Sequence, residues 1–363
     1  MKFIPISQPS ITQKEIDYVT DAVTSGWVSS LGKYIDSFEE TFATYCGTQY
    51  ALATSNGTTA LHLALVSLGI KEGDEVIIPD LTFVATANAV KYTGADVVIV
   101  DIEENTLCIN PQAIEQAITP KTKAIIPVHL YGHPANMEAI NTIANKHKLY
   151  VIEDAAEAHG AECYGKKVGS LGAVGVFSFY GNKVITSGEG GMITTNDENL
   201  YQRMRYLRDH AMSKEKRYWH TEIGYNYRMT NLQAALGLAQ LERIDEILTK
   251  KKLIFEWYQQ GLAGINSIRL NQQASWAIHV YWMVCLEIDS YNESQRDELM
   301  LKLKLQGIDS RPYFYPIASL PMYKSEKMPI ADKLSTKGVN LPSYFEITKE
   351  EVQFICIQLK EML

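Results

Sequence analysis

The stretch Val176-Phe177-Ser178-Phe179-Tyr180-Gly181-Asn182-Lys183-Val184-Ile185-Thr186-Ser187-Gly188-Glu189-Gly190-Gly191-Met192 decides how the rest of this 363-residue chain is read. Lys183 sits between an apolar, aromatic, strand-like run and a glycine-rich turn that leads into a second apolar run, 192–195. A lysine emerging there is held on a tight loop with little water around it, which suits its amine to covalent chemistry with a carbonyl. The same pattern also describes a surface turn carrying a solvated lysine. The residues around it have to separate the two.

Working outward, strand and helix signals alternate on both sides of this stretch. Apolar strand-like runs fall at 50–54, 75–79, 96–101, 123–128, 149–153, 174–179 and 191–195. Helical patterns lie between them, at 60–68, 83–91, 111–117 and 136–147, with Asn110 as a cap and Pro111 in the first turn of the third. Two amphipathic helices, 12–24 and 34–46, precede the series, and a helix at about 197–208 follows it. Continuous apolar strands alternating with helices predict an α/β sandwich built on a mainly parallel sheet. A polar, aromatic segment at 212–227 and a long helix at 231–258 then lead to a different pattern. There, strands at 281–288 and 309–314 and helices at 295–306 and 349–363 suggest a smaller α+β unit. The expected division is a large domain, 1–249, and a small C-terminal domain, 250–363.

Bulk properties exclude several function classes. Hydrophobic residues make up 46% and charged residues 21%, the composition of an ordinary globular enzyme. A formal charge of −8 argues against nucleic-acid binding, which needs clustered excess Lys and Arg. No apolar run reaches the length of a membrane helix. Met1-Lys2-Phe3-Ile4-Pro5 lacks the apolar core of a signal peptide. Five cysteines without CxxC pairing suit a reducing cytoplasm and no zinc site. His129 and His133 are four apart, but Pro134 follows and no acidic or Cys partner is near in sequence, so no metal is expected.

Ligands of an open parallel sheet bind at the carboxyl ends of its strands. Four features fall at such ends. Ser55-Asn56-Gly57-Thr58-Thr59 turns into a helix, and its free N–H groups and hydroxyls form a phosphate cup. Asp154, in 152–157, ends an apolar strand and needs a cationic or donor partner if buried. Phe83 follows the strand 75–79, and Ser178 stands five residues before Lys183. Each has a bland reading: a capping Thr, a capping Asp, a core Phe. Together they are what pyridoxal phosphate requires: a lysine for its aldehyde, an anion cup, a carboxylate for the pyridine nitrogen and an aromatic face. The dinucleotide motif G-x-G-x-x-G and the phosphate loop G-x-x-x-x-G-K-[ST] do not occur in the required context.

At these residues the chain resembles the DegT/DnrJ/EryC1/StrS family of sugar aminotransferases over essentially its whole length. The motifs are SNGTTALHLAL (55–65), DEVIIPDLTFVATANAV (74–90), VIEDAAEAHG (151–160), FSFYGNKVITSGEGGM (177–192) and GYNYRMTNLQAALGLAQL (224–241). The resemblance implies the aspartate-aminotransferase-like fold, type I of the pyridoxal-phosphate-dependent transferases, and a homodimer with active sites shared between subunits. Residue by residue, it makes Lys183 the lysine that takes the aldehyde and Asp154 the partner of the pyridine nitrogen. Phe83 would stack on the ring, and Gly57, Thr58 and Ser178 would hold the phosphate, with Asn226 reaching it from the other subunit. Glu157, where many relatives carry Gln, would lie near the cofactor's 3-hydroxyl. Ser187 stands where Thr is usual, and His159 is not required by the pattern. Trp27, His220, Arg228, Arg311 and Tyr315 fall in segments that line the sugar-nucleotide cleft in relatives.

The runs PVHLYGHP (127–134), RYWH (217–220), HVYWMV (279–284) and RPYFYP (311–316) look most like the branch that aminates C4 of GDP-4-keto-6-deoxy-D-mannose, with L-glutamate as donor, for O-antigen synthesis in the cytoplasm. An enzyme acting on dTDP-4-keto-6-deoxyglucose would carry nearly the same motifs. The family's 3-dehydratases carry His at the position of Lys183, which speaks against dehydration, and a pyridoxal-phosphate-binding regulatory homologue would not need the full set.

Overall fold

The computed structural model describes residues 3–363; Met1 and Lys2, part of the N-terminal stretch considered above, lie outside it. The expected strands form in order: β1 (Tyr50–Thr54), β2 (Glu75–Pro79), β3 (Asp96–Val100), β4 (Thr122–Ile125) and β5 (Tyr150–Asp154). A short hairpin, β6 (Glu162–Cys163) and β7 (Lys166–Lys167), precedes β8 (Val174–Ser178) and β9 (Gly191–Thr195). Seven strands make one sheet in the order β1-β9-β8-β5-β4-β2-β3. β9 runs antiparallel to both neighbours, and the other pairings are parallel. Buried apolar side chains cover both faces, which is why these strands read as continuous apolar runs. The chain reversal at Lys183 produces the antiparallel β8–β9 pair, so the quoted stretch is where the sheet changes direction.

The helix Gly57–Ser67 packs on this sheet with seven of its residues buried. Asn56 caps it: its side-chain oxygen accepts from the Thr59 N–H at 2.9 Å, while its own N–H bonds Thr59 Oγ1 at 3.2 Å. A helix N-terminus is thereby fixed at the carboxyl end of β8.

Beyond the large sheet come β10 (Ile268–Leu270), β11 (Ala277–Ile278), β12 (Val284–Ile288), β13 (Arg311–Pro312) and β14 (Gly338–Leu341). β11 extends the β6–β7 hairpin, and the other four form an antiparallel sheet, β10-β12-β14-β13. Three differences from the sequence expectation stand out. The long helix 231–258 is two, Asn231–Leu241 and Ile244–Gly261, broken at Glu242 and Arg243 with no Gly or Pro to signal it. The strand expected over 309–314 shrinks to the two residues that pair with β14. The helix Pro329–Ser335 and β14 were not anticipated. The second helix, Ile244–Gly261, continues across position 249, and Ile4 packs with Ile254, Phe255 and Ile308 in the apolar cluster of the C-terminal sheet. Among the described residues, no helix is long and apolar enough to cross a membrane.

Candidate active site

The carboxyl ends of β1, β2, β5 and β8 surround one cavity of about 720 Å³. Gly57, Thr58, Thr59, Phe83, Asp154, Glu157, Ser178 and Lys183 all line it. Residues up to 126 positions apart in the chain thus face the same space.

Lys183 projects from the turn after β8 and its side chain is 12% exposed. Its Nζ lies 3.4 Å from Glu157 Oε1 and 4.2 Å from the centroid of the Trp282 ring. Asp154 terminates β5 and is buried. Its Oδ2 accepts from the Thr86 hydroxyl at 2.8 Å and its Oδ1 from the Ala156 N–H at 3.2 Å. Burial pushes its carboxyl above the ordinary range, against these hydrogen bonds and the charge of Lys183. Glu157 is likewise pushed up by burial, opposed by Lys183 and by the Tyr131 N–H, which donates to Oε2 at 3.0 Å.

At the other wall, Gly57 opens its helix directly beside Ser178. A Cβ at Gly57 would come 2.9 Å from Ser178 Cβ, so the approach between helix and strand exists because position 57 has no side chain. Thr59 lines the cavity too, with its Oγ1 hydrogen-bonded to Ser55 Oγ at 3.0 Å and to the Asn56 backbone. Phe83 is 54% exposed at the mouth, with its ring 5.7 Å from that of Phe314.

These residues fit pyridoxal phosphate. The cradle at Gly57 and Ser178 combines a helix N-terminus with a hydroxyl, the donors a phosphate needs. A buried carboxyl raised by desolvation gains from a cation, and a protonated ring nitrogen would be one.

Asn226, Trp27, His220, Arg228, Arg311 and Tyr315 do not line the cavity in this single chain. Arg228 Nε donates to Asn226 Oδ1 at 3.2 Å, and its guanidinium pairs with Asp209. His220 Nδ1 meets the His210 carbonyl at 2.8 Å, and Arg311 pairs with Asp309. Trp27 and Tyr315 are exposed. His159 is buried beside Phe177 and Phe179, and burial pushes its imidazole down to about 3, which keeps it neutral. His129 and His133 do not converge: His129 Nε2 meets Glu153 at 3.1 Å, while His133 Nδ1 meets the Pro134 carbonyl at 2.7 Å.

The cavity also contains residues that the sequence did not single out: Thr86, Tyr180, Asn182, Glu189, Trp282 and Phe314. Thr86 stands three residues after Phe83, in the first turn of the helix Ala85–Tyr92, a position that the helix expected over 83–91 could have pointed to. Trp282 and Phe314 come from the C-terminal runs HVYWMV and RPYFYP, in which nothing local indicates that they reach the cavity.

Comparison with known proteins identifies the family. Residues 9–360 match the DegT/DnrJ/EryC1/StrS aminotransferase family. Relatives include the GDP-perosamine synthase of Escherichia coli O157:H7, 47% identical with 99% of each chain covered, and that of Vibrio cholerae, 44% identical with 98% of each covered. Among solved structures, the putative sugar aminotransferase Spr1654 from Streptococcus pneumoniae in its PMP form superposes with a TM-score of 0.95 at 28% identity, covering 99% of this chain and 97% of its own. DesV of S. venezuelae, in complex with a ketimine intermediate, gives 0.93 at 33% identity, covering 99% and 98%. The chain belongs to the DegT/DnrJ/EryC1/StrS aminotransferase family and has its fold.

Proposed function

We propose that this chain transfers the amino group of L-glutamate to C4 of GDP-4-keto-6-deoxy-D-mannose, giving GDP-perosamine and 2-oxoglutarate, with pyridoxal phosphate carrying the amine between the two substrates. The observation that carries the reading is the convergence of Lys183, Asp154 and the Gly57–Ser178 cradle on one cavity. Relatives named GDP-perosamine synthase at 44% to 47% identity favour the GDP-linked acceptor.

When bound, pyridoxal phosphate supplies an aldehyde and an electron-withdrawing ring that stabilises negative charge on an attached carbon. The chain does the rest. The cradle at Gly57, Thr58 and Ser178 would hold the phosphate, and Phe83 would offer a flat apolar face to the ring. Asp154, hydrogen-bonded by the Thr86 hydroxyl and the Ala156 N–H, would face the ring nitrogen and hold its proton. Glu157 would face the 3-hydroxyl side. Lys183 would hold the aldehyde at rest, and its freed Nζ would carry the proton removed from the amino-acid Cα. The same atom serves both substrates, so the two halves of the reaction alternate at one site.

In this reading the molecule works as a homodimer in the cytoplasm. Asn226 reaches the phosphate in the second subunit's cavity, and His220 and Arg228 approach the sugar nucleotide from the same loop. Trp27, Arg311 and Tyr315 complete that cleft. The large domain spans 1–249 and the small domain 250–363.

The test is direct. The purified protein should show an absorbance band from the cofactor linked to Lys183, and that band should shift when L-glutamate is added. Lys183→Ala should lose both the shift and turnover. A Lys183→Ala enzyme with near-native activity would overturn the reading.

A further inference from the structure

Trp282 lies outside the cofactor-holding set, yet its ring is the aromatic group over the lysine amine. It is 3% exposed, and its face lies 4.2 Å from Lys183 Nζ. Its Nε1–H donates to the backbone oxygen of Asn182 at 2.7 Å. One indole therefore grips the loop at residue 182 and covers the amine at residue 183.

The backbone of Trp282 is itself pinned. Lys251, buried in the helix Ile244–Gly261, donates from Nζ to the Trp282 carbonyl at 3.0 Å and to the Ser343 carbonyl at 2.6 Å, with Ser343 Oγ at 3.4 Å. These three partners are neutral, and burial pushes the amine down to about 7. Holding an amine there costs stability that an apolar side chain of similar length would not. Two backbone features at the same place are also costly or restrictive. Tyr281 adopts φ +49°, a left-handed conformation disfavoured for an aromatic residue. Gly132 leaves room for the loop, since a Cβ there would come 2.9 Å from the Trp282 backbone nitrogen. The 280–282 loop is thus held in one place from three sides.

We infer that Trp282 positions the Lys183 amine, and that Lys251 positions Trp282. When a substrate amine displaces Lys183, its long side chain would otherwise swing through the cavity. The indole face attracts the protonated form and keeps Nζ beside the reacting carbon. This rests on the reading of Lys183 as the cofactor-bearing lysine.

The experiment uses the cofactor-loaded enzyme, with borohydride trapping and peptide mass analysis to locate the cofactor and stopped-flow absorbance to follow the half-reaction with L-glutamate. Trp282→Leu should still carry the cofactor on Lys183. Its maximal half-reaction rate should fall about tenfold, with the half-saturating glutamate concentration within about twofold of the parent. Trp282→Phe, which keeps an aromatic face, should recover most of the rate. Lys251→Met should show the same split, and combining it with Trp282→Leu should add little further loss. A parental rate in Trp282→Leu, or a loss confined to half-saturation, would overturn the inference. Fully additive losses in the double variant would overturn the link through Lys251. Should Lys251→Met fail to fold, the Leu and Phe variants at 282 still decide the role of the ring. Trapping of the cofactor on a residue other than 183 in the parent enzyme would instead refute the proposed function itself.

Discussion

Thr86→Val isolates the electrostatics of the site with little change of shape. Thr86 is buried, and its hydroxyl donates to Asp154 Oδ2 at 2.8 Å while also meeting Thr82 Oγ1 at 3.0 Å. Valine keeps the volume and removes the donor. A hydrogen bond to a buried charged group is worth about 1.5–3 kcal/mol, so cofactor affinity should fall about ten- to a hundredfold. The pH dependence has a definite sign. Burial already raises the Asp154 carboxyl, and the Thr86 bond works in the opposite direction. Removing that bond raises the carboxyl further, and a protonated carboxyl cannot hold a positively charged ring nitrogen. The acid limb of the glutamate half-reaction should therefore move to higher pH. Titration of cofactor-free enzyme with pyridoxal phosphate, followed by absorbance, measures the first effect, and half-reaction rates across pH measure the second. Parental affinity together with an unmoved acid limb would refute the assignment of Asp154.

Three further outcomes follow from the same geometry. Gly57→Ala forces a Cβ to 2.9 Å from Ser178 Cβ, so the phosphate cradle should distort and cofactor affinity drop by the equivalent of about 1–3 kcal/mol; equilibrium titration checks this. Asp80 is buried, with Oδ1 bonded to the Ala318 N–H at 2.7 Å, Oδ2 without a partner among the described residues, and its carboxyl raised to about 6. Because the folded state binds that proton more tightly, Asp80 costs stability increasingly as pH rises from the ordinary carboxylate range to about 6. Asp80→Asn should accordingly stabilise the protein by up to about 3 kcal/mol above that pH and by little in acid, as denaturant melts at both pH values would show. Finally, if Asn226 acts across a dimer, mixing Lys183→Ala subunits with Asn226→Asp subunits should restore about a quarter of the activity, because only one kind of site in the mixed dimers is intact. No restoration would argue that each chain completes its own site.

Much of this was legible in the sequence because it is local. The apolar strands of the large sheet announce themselves through continuous runs, and their ends carry Asp154, Ser178 and the Gly57 turn in recognisable contexts. Lys183 is conspicuous because a charged residue interrupts an apolar hairpin at its tip. What escaped was non-local or lacked punctuation. The break at Glu242 and Arg243 has no glycine or proline, and β14 is only four residues long. Trp282 and Phe314 reach the cavity from the C-terminal part of the chain, 99 and 131 residues beyond Lys183, an apposition set by tertiary packing.

The central claim is a transamination on a GDP-linked 4-keto sugar. The measurement that bears on it most directly is a mass-spectrometric product assay with L-glutamate, in which GDP-4-keto-6-deoxy-D-mannose and dTDP-4-keto-6-deoxyglucose are offered side by side. The account predicts an amino sugar nucleotide from the GDP-linked substrate, one molecule of 2-oxoglutarate per amine transferred, and much slower turnover of the dTDP-linked one. A strong preference for the dTDP-linked sugar, or loss of a hydroxyl in place of gain of an amine, would contradict it.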